Sequence, residues 1–466
     1  MKYAVLVLTF LHLLNTIFCN FDLVILHNND IHGRFEQTER NSGTCQPKNR
    51  NSTCIGGFAR TAHVVRKHRE AAQNGTGPEV LYLYAGDTFI GTVWYTVHTW
   101  NISSTFMNLL SPDAQSLGNH EFDKGTKELG QYLSKLAFPT ITCNLDLSLE
   151  PNIKPYVQKY VIVEKANRKI GIIGKLNLKF DDNGDLLHTY GQPILLKNLI
   201  PQDKDVLELL EKYKPGIEKL NSVEVGSSLV TLDGEDSSCR LGECNFGNLI
   251  ADAFVLYKAS SSQTVWTDAP IGITNAGGIR AAINPTHKGT ITKGEIISAL
   301  PYAKDLVTFK LSGADLVQTL ECGIRGNGET SRGEFLQVSG IKVVYDASKP
   351  SFSRVVSVKL RCGNCSVPLY SDLNLSKNYT IITSKYLTDG MDGFHVLKEK
   401  AMDLAYEKVT DVDTVVSYFN KYTPVFAEVE GRITFIKRDE VSRGSVFLSF
   451  NIVYSILVMK STFLFC

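Results

Sequence analysis

Short apolar runs alternate with helical stretches along the first two hundred residues of the chain. Runs at residues 23–26 and 80–84 have the length of β-strands, and a helical stretch at residues 59–72 separates them. Strands that alternate with helices favour parallel pairing, so we predict an α/β sandwich for residues 21–201. Ligands in such folds bind at the carboxyl ends of the strands, so polar residues there are candidates for a site.

A second α/β pattern follows, beyond one amphipathic helix. Residues 203–220 place apolar side chains on a single helical face and charges elsewhere, despite Pro215, so we predict a linking helix within residues 202–222. Strand-like runs come next, around residues 226–232, 307–311 and 341–345. They predict a second α/β domain over residues 223–436.

The two ends of the chain carry apolar segments of different kinds. Residues 1–19 combine Lys2 with an apolar run and a polar boundary at Asn20, which is typical of a cleaved signal peptide. Residues 437–466 hold a polar spacer and an apolar stretch over residues 446–459, short of the roughly 20 residues of a membrane span. A glycolipid-anchor signal accepts such a tail, so we predict attachment to the outer cell surface, with plain secretion as the alternative.

Composition excludes several classes of protein. The 466 residues are 43% apolar, which is enough to build substantial cores and rules out a disordered or collagen-like chain. Forty-nine basic residues against 48 acidic ones leave a formal charge of +1. Without a basic excess, we predict no nucleic-acid partner, and any anionic ligand has to be bound by a local cluster.

Cysteines and glycosylation motifs support an oxidising, extracellular compartment. Six cysteines form close pairs that predict three local disulfides, Cys45 with Cys54, Cys239 with Cys244 and Cys362 with Cys365. We expect Cys143 and Cys322 to be buried thiols. Six Asn-X-Ser/Thr motifs are present, at Asn51, Asn74, Asn101, Asn364, Asn374 and Asn378.

Metal-binding side chains follow three predicted strands of the first domain. Asp30 and His32 are two residues apart in extended chain, so they can converge on one point. Asp87 follows the second strand, and Asn119 and His120 follow the third. Oxygen and nitrogen ligands of these types suit a first-row divalent metal. Each of these three short motifs is also an ordinary turn sequence on its own, so the prediction depends on finding all three together.

Two arginine loops in the second domain predict an anion site. The Cys239–Cys244 pair fixes the loop that presents Arg240, and Arg280 follows Asn275 and two adjacent glycines. Glycines let the backbone approach a ligand, and guanidinium groups can fork onto a phosphate or carboxylate. Surface ion pairing is the alternative role for such arginines.

The three metal motifs together resemble the calcineurin-like metallophosphoesterase pattern. With the second-domain motifs, nearly the whole mature chain resembles the secreted 5'-nucleotidase/apyrase family. The resemblance implies two divalent metals, with zinc expected. Asp30 and His32 would hold the first, Asp87 would bridge, and Asn119 would hold the second. Two such metals, about 3.5–4 Å apart, activate a water and hold the leaving oxygen.

The resemblance also assigns roles outside the metal ligands. His120 would stabilise charge on the phosphoryl group in the transition state, and Asp123 would orient its ring. Two aromatic rings would sandwich a purine and one aspartate would contact the ribose. These substrate-binding positions, including the arginine loops, are Arg240, Asn275, Arg280, Tyr302, Tyr386 and Asp392. The implied ligands are adenine nucleotides.

The chain departs from the family pattern after Gly174. The family completes its metal sites with histidines from two later loops, and this sequence has neither. Residues 169–174 resemble the strand before those loops, whereas residues 175–181 already resemble a hairpin after them. His188 lies nearby, but the matching family stretch supplies no ligand. The first domain is therefore predicted to be a shortened metallophosphoesterase domain, joined to a complete nucleotide-binding domain.

Two functions follow from these observations. The leading hypothesis is an extracellular, metal-dependent hydrolase that converts AMP to adenosine or ATP and ADP to AMP, and so limits ADP-driven platelet aggregation. The alternative is a catalytically impaired homologue that binds nucleotides or blocks a platelet receptor, although Arg332 and Gly333 precede a glutamate rather than an aspartate. A homodimer, or pairing with a full-length paralogue, is a further expectation.

Overall fold

A computed structural model describes residues 22–165, 168–172, 194–285, 289–326 and 332–436. The predicted signal peptide and the predicted anchor tail lie outside these ranges, as do the joint after Gly174 and His188. No helix in the described ranges combines the length and the apolar character needed to cross a membrane.

The first domain is built on a parallel sheet. Its elements are β1 (Leu23–Asn28), α1 (Phe58–Gln73), β2 (Glu79–Tyr84), α2 (Val93–Leu110), β3 (Ala114–Ser116), α3 (Gly125–Leu133), β4 (Thr140–Ile141), β5 (Val157–Gln158), β6 (Val161–Lys165), β7 (Arg168–Ile172) and α4 (Lys204–Asn221). Strands β1 to β5 pair in parallel, as the alternation of strands and helices predicted, and they follow one another in chain order. Strands β6 and β7 form a separate antiparallel hairpin.

The two faces of the parallel sheet are covered differently. Tyr82 and Tyr84 point to the face where Phe58 of α1 and Phe106 of α2 are buried in the main core. Leu81 points to the opposite face, because side chains alternate along a strand. There it joins a much smaller buried cluster with Ala114 and Ile141, against which the β6 valines pack. Parallel sheets normally have helices on both faces, so this second face is thinly covered in the described chain.

The second domain contains two larger sheets and one short one. Its elements are β8 (Glu224–Ser227), α5 (Asp236–Cys239), α6 (Asn245–Ser261), β9 (Ile271–Asn275), β10 (Thr290–Thr292), α7 (Lys293–Ala299), β11 (Asp305–Ser312), α8 (Gly313–Gly323), β12 (Leu336–Ser339), β13 (Ile341–Tyr345), β14 (Val355–Arg361), β15 (Tyr370–Asp372), β16 (Asn378–Ser384), α9 (Lys385–Thr388), α10 (His395–Lys400), β17 (Met402–Thr410), α11 (Asp411–Lys421) and β18 (Ile433–Phe435). The strand orders are β12-β9-β16-β11-β17, β15-β14-β13-β18 and β10-β8. The predicted strand at 226–232 is shorter than expected, because beyond Ser227 the chain forms only isolated bridges.

Helix α4 lies in the segment predicted to link the domains. Val206, Leu210 and Ile217 form its buried face, and Pro215 is accommodated inside it. The helix packs on α1 and α2 of the first domain and on α7 of the second. At its start, Arg66 of α1 makes ion pairs with Asp203 and Asp205 at 2.7 Å, which anchors α4 to the first domain.

The cysteines behave as predicted with one exception. All three predicted disulfides are present, and Cys322 is a buried thiol. Cys143 is exposed, so the prediction that it is buried was wrong. The reason is its position: β4 ends at the buried Ile141, and Cys143 lies two residues further on, in the loop that leaves the sheet.

Candidate active site

Three loops at the carboxyl ends of β1, β2 and β3 form one side of a cleft. Backbone hydrogen bonds tie the first two loops together: Asp30 donates to Gly86 and His32 donates to Asp87, each at 3.0 Å. Gly86 comes so close to the third loop that a Cβ there would lie 2.2 Å from the Gly118 nitrogen. Asp30, His32 and Asp87 have φ angles of 55°, 48° and 59°, a left-handed conformation that costs free energy and concentrates at functional sites.

The predicted metal ligands of these loops converge. His32 Nε2 lies 3.4 Å from Asp30 Oδ1 and 3.9 Å from Asp87 Oδ2. His32, Asp87 and His120 each offer a ligand atom within 4.8 Å of the others. Asn119 is exposed at the start of the short turn that carries His120, at the same rim. The structure thus brings Asp30, His32 and Asp87 together and places Asn119 in the adjoining loop.

The chemistry of this donor set fits a divalent cation. His32 Nδ1 lies 3.3 Å from the Phe89 carbonyl, which fixes the ring and leaves Nε2 facing the carboxylates. Burial and the nearby Arg280 charge lower the pKa of His32 to about 3, so its ring is neutral at physiological pH, as a metal ligand must be. Burial raises the pKa of Asp87, which favours a compensating positive charge beside it.

His120 forms a hydrogen bond with Asp123, the residue that the resemblance places beside it. Its Nδ1 is 2.7 Å from Asp123 Oδ2, and its backbone N–H donates to Asp87 Oδ1 at 3.0 Å. Burial disfavours the imidazolium, but the hydrogen bond and charge of Asp123, together with Asp87, outweigh burial and raise the pKa of His120. The ring is therefore held as a proton or hydrogen-bond donor that faces the metal ligands.

Glu121 is a supporting residue that the sequence reasoning missed. Its buried carboxylate accepts N–H groups from Asp87, Thr88 and Gly118 at 2.6–2.9 Å, and from Phe89 at 3.4 Å. It therefore joins the loop after β2 to the loop after β3. Glu121 directly follows Asn119 and His120 in the sequence Gly-Asn-His-Glu of residues 118–121. Nothing in that spacing distinguishes a buried glutamate from a solvent-exposed one.

The second domain supplies an aromatic pair with a polar network beside it. Tyr386 donates to Asp392 Oδ1 and Asn275 donates to Asp392 Oδ2, both at 2.8 Å. Lys304, which was also missed, donates to Asn275 Oδ1 at 3.0 Å. Its ammonium lies 4.4 Å from the Tyr386 ring centre and 5.3 Å from that of Tyr302. The predicted residues of this pocket are therefore together, and a lysine joins them.

Arginines from both domains meet at the cleft. Arg240 pairs with Asp236 at 2.9 Å, in a loop held by the Cys239–Cys244 disulfide. Buried Gln337 reinforces that loop by donating to the carbonyls of Cys239 and Gly242. Arg34, a third residue that the sequence reasoning missed, donates to the Arg280 carbonyl at 3.0 Å across the domain boundary.

The two halves of the site face each other directly. The Tyr302 ring of the second domain stacks on the His120 ring of the first, with ring centres 5.5 Å apart and an interplanar angle of 25°. A ligand that reaches from the aromatic pair to the metal ligands would therefore lie between the domains. The arrangement provides metal ligands, a donor imidazole, guanidinium groups and aromatic faces in one cleft.

Two protein-family models match the chain. The calcineurin-like phosphoesterase model matches residues 23–222, and the model of the 5'-nucleotidase C-terminal domain matches residues 224–399. Among solved structures, a 5'-nucleotidase precursor from Thermus thermophilus aligns with a TM-score of 0.77 and 25% identity, over 89% of this chain and 99% of that one.

Curated relatives align over most of their length. Protein 5NUC of Lutzomyia longipalpis is 34% identical, over 89% of this chain and 93% of the relative. The snake venom 5'-nucleotidase of Crotalus adamanteus is 30% identical, over 94% and 92%, and the apyrase of Tabanus yao is 28% identical, over 90% and 94%. The first alignment runs over 536 positions, whereas this chain has 466 residues, so at least 70 of those positions have no counterpart here.

Proposed function

Because the chain belongs to the 5'-nucleotidase family, with a calcineurin-like phosphoesterase domain and a 5'-nucleotidase C-terminal domain, we propose that it is an extracellular hydrolase of adenine nucleotides. The substrate would be AMP, or ADP and ATP, and zinc is the expected metal. One observation carries the proposal: His120, beside the converging metal ligands, stacks on Tyr302 of the nucleotide pocket.

In this proposal the first domain binds the metals and the terminal phosphate. Asp30 and His32 would hold one cation, Asp87 would serve both cations, and Asn119 would hold the second. Bound metals of this kind supply an activated water and neutralise charge on the phosphate oxygens. His120, fixed by Asp123, donates to the phosphoryl group as negative charge develops on it. The left-handed turns keep the ligands in place before substrate arrives.

The second domain selects the nucleotide. Tyr302 and Tyr386 offer their faces to the base, and stacking of this kind is worth about 1–3 kcal/mol per base. Tyr386 and Asn275 hold Asp392 by hydrogen bonds, in a position to accept hydrogen bonds from the ribose hydroxyls. Arg240 and Arg280 neutralise the phosphates that remain between the base and the metals.

An extracellular location rests on covalent chemistry. Three disulfides are present, and all six glycosylation asparagines are exposed. Removal of extracellular ADP, and with it restraint of platelet aggregation, is the physiological role that we propose. Glycolipid attachment and a homodimer remain predictions.

A second candidate function is nucleotide binding without turnover. It is favoured by the positions of the Lutzomyia longipalpis alignment that have no counterpart in this chain. The family resemblance implies two further metal-binding histidines from later loops, and this sequence has neither. Losing even an outer-shell partner of a metal ligand costs about 10–100-fold in affinity or activity. Receptor blocking through residues 332–334 has less support, because the Glu334 side chain is buried and paired with Arg325 and Arg332.

The decisive experiment measures phosphate release and nucleotide binding on the same secreted protein. We expect zinc-dependent release from ADP or AMP that is slower than the roughly 1–1000 per second common for enzymes. Asp87→Ala should abolish it, whereas Asp146→Ala, at an exposed position of the same domain, should not. Binding without release would select the second candidate. Absence of both binding and release would overturn the proposal.

A further inference from the structure

Basic side chains line both walls of the cleft, and the sequence predicted only those of the second domain. Arg34 belongs to the first domain, two residues after His32, and reaches across to the Arg280 carbonyl. Arg240 and Arg280 approach from the second domain. The charges of Arg34 and Arg280 both act on His32, and that of Arg280 also acts on Arg240, so the three guanidinium groups lie in one neighbourhood beside the predicted metal ligands.

These guanidinium groups have few anionic partners. Arg240 pairs with Asp236, but its Nε is buried without a hydrogen-bond partner in the described chain. The ion pairs formed among the described residues include neither Arg34 nor Arg280. Arg34 is itself partly buried where it meets Arg280. Enclosing like charges in this way is costly unless an anion joins them.

Arg280 lies between the two halves of the site. Its charge lowers the pKa of His32 among the metal ligands. The same charge also acts on Tyr302 and Lys304 beside the aromatic pair. An extended anion that runs from the aromatic pair to the metal ligands therefore passes the arginines on its way.

We propose that Arg34 is a substrate-positioning residue that binds the phosphate next to the one being cleaved, so that the cleft favours nucleoside diphosphates and triphosphates over monophosphates. The inference rests on the proposed function, since it needs the base at the tyrosines and the terminal phosphate at Asp87. A guanidinium group can donate two parallel hydrogen bonds to two phosphate oxygens, and ADP has a second phosphate that can accept them. AMP brings one phosphate, which the metal ligands take, so it offers no phosphate to Arg34.

The test is calorimetric binding to the full secreted chain with zinc, which does not depend on turnover. The ligands are AMP and the α,β-methylene analogue of ADP. We expect wild type to bind the diphosphate more tightly. Arg34→Ala should weaken diphosphate binding about 10–100-fold and AMP binding less than about threefold, the range expected for one hydrogen bond to a charged group. Arg34→Lys keeps the charge without the fork and should fall between.

The control variant is Arg40→Ala, at an exposed arginine of the same domain, which should change neither affinity. An equal loss for both ligands in Arg34→Ala would mean that Arg34 only holds the domains together, and would overturn the inference. So would unchanged diphosphate binding. If wild type binds neither ligand, the proposed function itself fails, which is a distinguishable result.

Discussion

Glu121 supports the loops of the predicted metal ligands without being a predicted ligand itself. Glu121 accepts four backbone N–H groups from two loops, and Asp87 lies in one of them. Burial raises the pKa of Glu121, while these hydrogen bonds oppose the rise by favouring the charged form. The carboxylate therefore sets the distance between the loop after β2 and the loop after β3.

Glu121→Ala should destabilise the first domain and weaken metal binding together. It leaves several buried N–H groups without an acceptor, each at about 1–3 kcal/mol, so we expect a loss of about 3 kcal/mol or more in the free energy of unfolding. Zinc affinity should fall about 10–100-fold. Urea denaturation and zinc titration check both effects. Glu70→Ala, at an exposed position of α1, should stay within about 0.5 kcal/mol of wild type.

Asp411 should give the stability of the protein a distinct pH dependence. Burial raises its pKa to about 7, although Lys304 opposes the rise. An unfolded aspartate has a pKa of about 3.9, so between about pH 4 and pH 7 the folded state binds more protons than the unfolded chain. The free energy of unfolding therefore falls as pH rises through this range.

Asp411→Asn removes that titration and keeps the acceptor oxygen for the N–H groups of Lys304 and Val412. Urea midpoints at pH 5 and pH 8 should differ less in the variant than in wild type. A parallel shift of both proteins between the two pH values would contradict the assignment.

Site residues that belong to recognisable motifs after strands could be predicted from the sequence. Site residues that are defined only by tertiary contacts were missed. Asp30, His32 and Asp87 follow strands in a recognisable order, so their convergence could be expected. Lys304 and Arg34 could not be found in this way. Each contacts a residue that is distant in sequence: Lys304 contacts Asn275, and Arg34 contacts Arg280 of the other domain.

At the scale of elements, the loop around Arg240 has two independent supports. The Cys239–Cys244 disulfide closes the loop, and the side chain of Gln337 in β12 makes three hydrogen bonds to the loop backbone. The disulfide was predictable from spacing. The role of Gln337 was not, because a buried glutamine in a strand has no distinguishing pattern.

Replacing both Cys239 and Cys244 by serine should cost about 2 kcal/mol of stability, as the chain-entropy account gives for so short a loop. It should also weaken diphosphate binding, because Arg240 gains freedom. Calorimetry measures the second effect. The matched control replaces Cys362 and Cys365, a comparably short disulfide in the hairpin of β14 and β15, and should leave nucleotide affinity unchanged. Equal binding losses in the two double variants would show that the Arg240 loop has no special role.

The parallel sheet marks the limit of prediction from the pattern alone. Alternating strands and helices predicted its parallel pairing, and β1 and β2 lie within two residues of the predicted runs. The thin cover of the face around Leu81 could not be anticipated, since apolar strands are the same whether one or two layers of helix pack on them.

At the scale of the whole molecule, the glycosylation motifs allow a test of the proposed extracellular location. The asparagines of the six glycosylation motifs are exposed and belong to both domains. Protein from a secreting eukaryotic cell should therefore lose mass on treatment with peptide N-glycosidase, as electrophoresis can show. Full-length secreted protein with no mass change would contradict an extracellular role built on these motifs.

In the proposed function, one tyrosine ring would serve both nucleotide recognition and chemistry. Tyr302 meets the imidazole of the first domain and the lysine ammonium of the second. A base stacked on this ring would therefore be separated by one rigid aromatic ring from the His120 imidazole, which is proposed to face the breaking bond. Exchanging one base for another should consequently alter the speed of cleavage as well as the strength of binding.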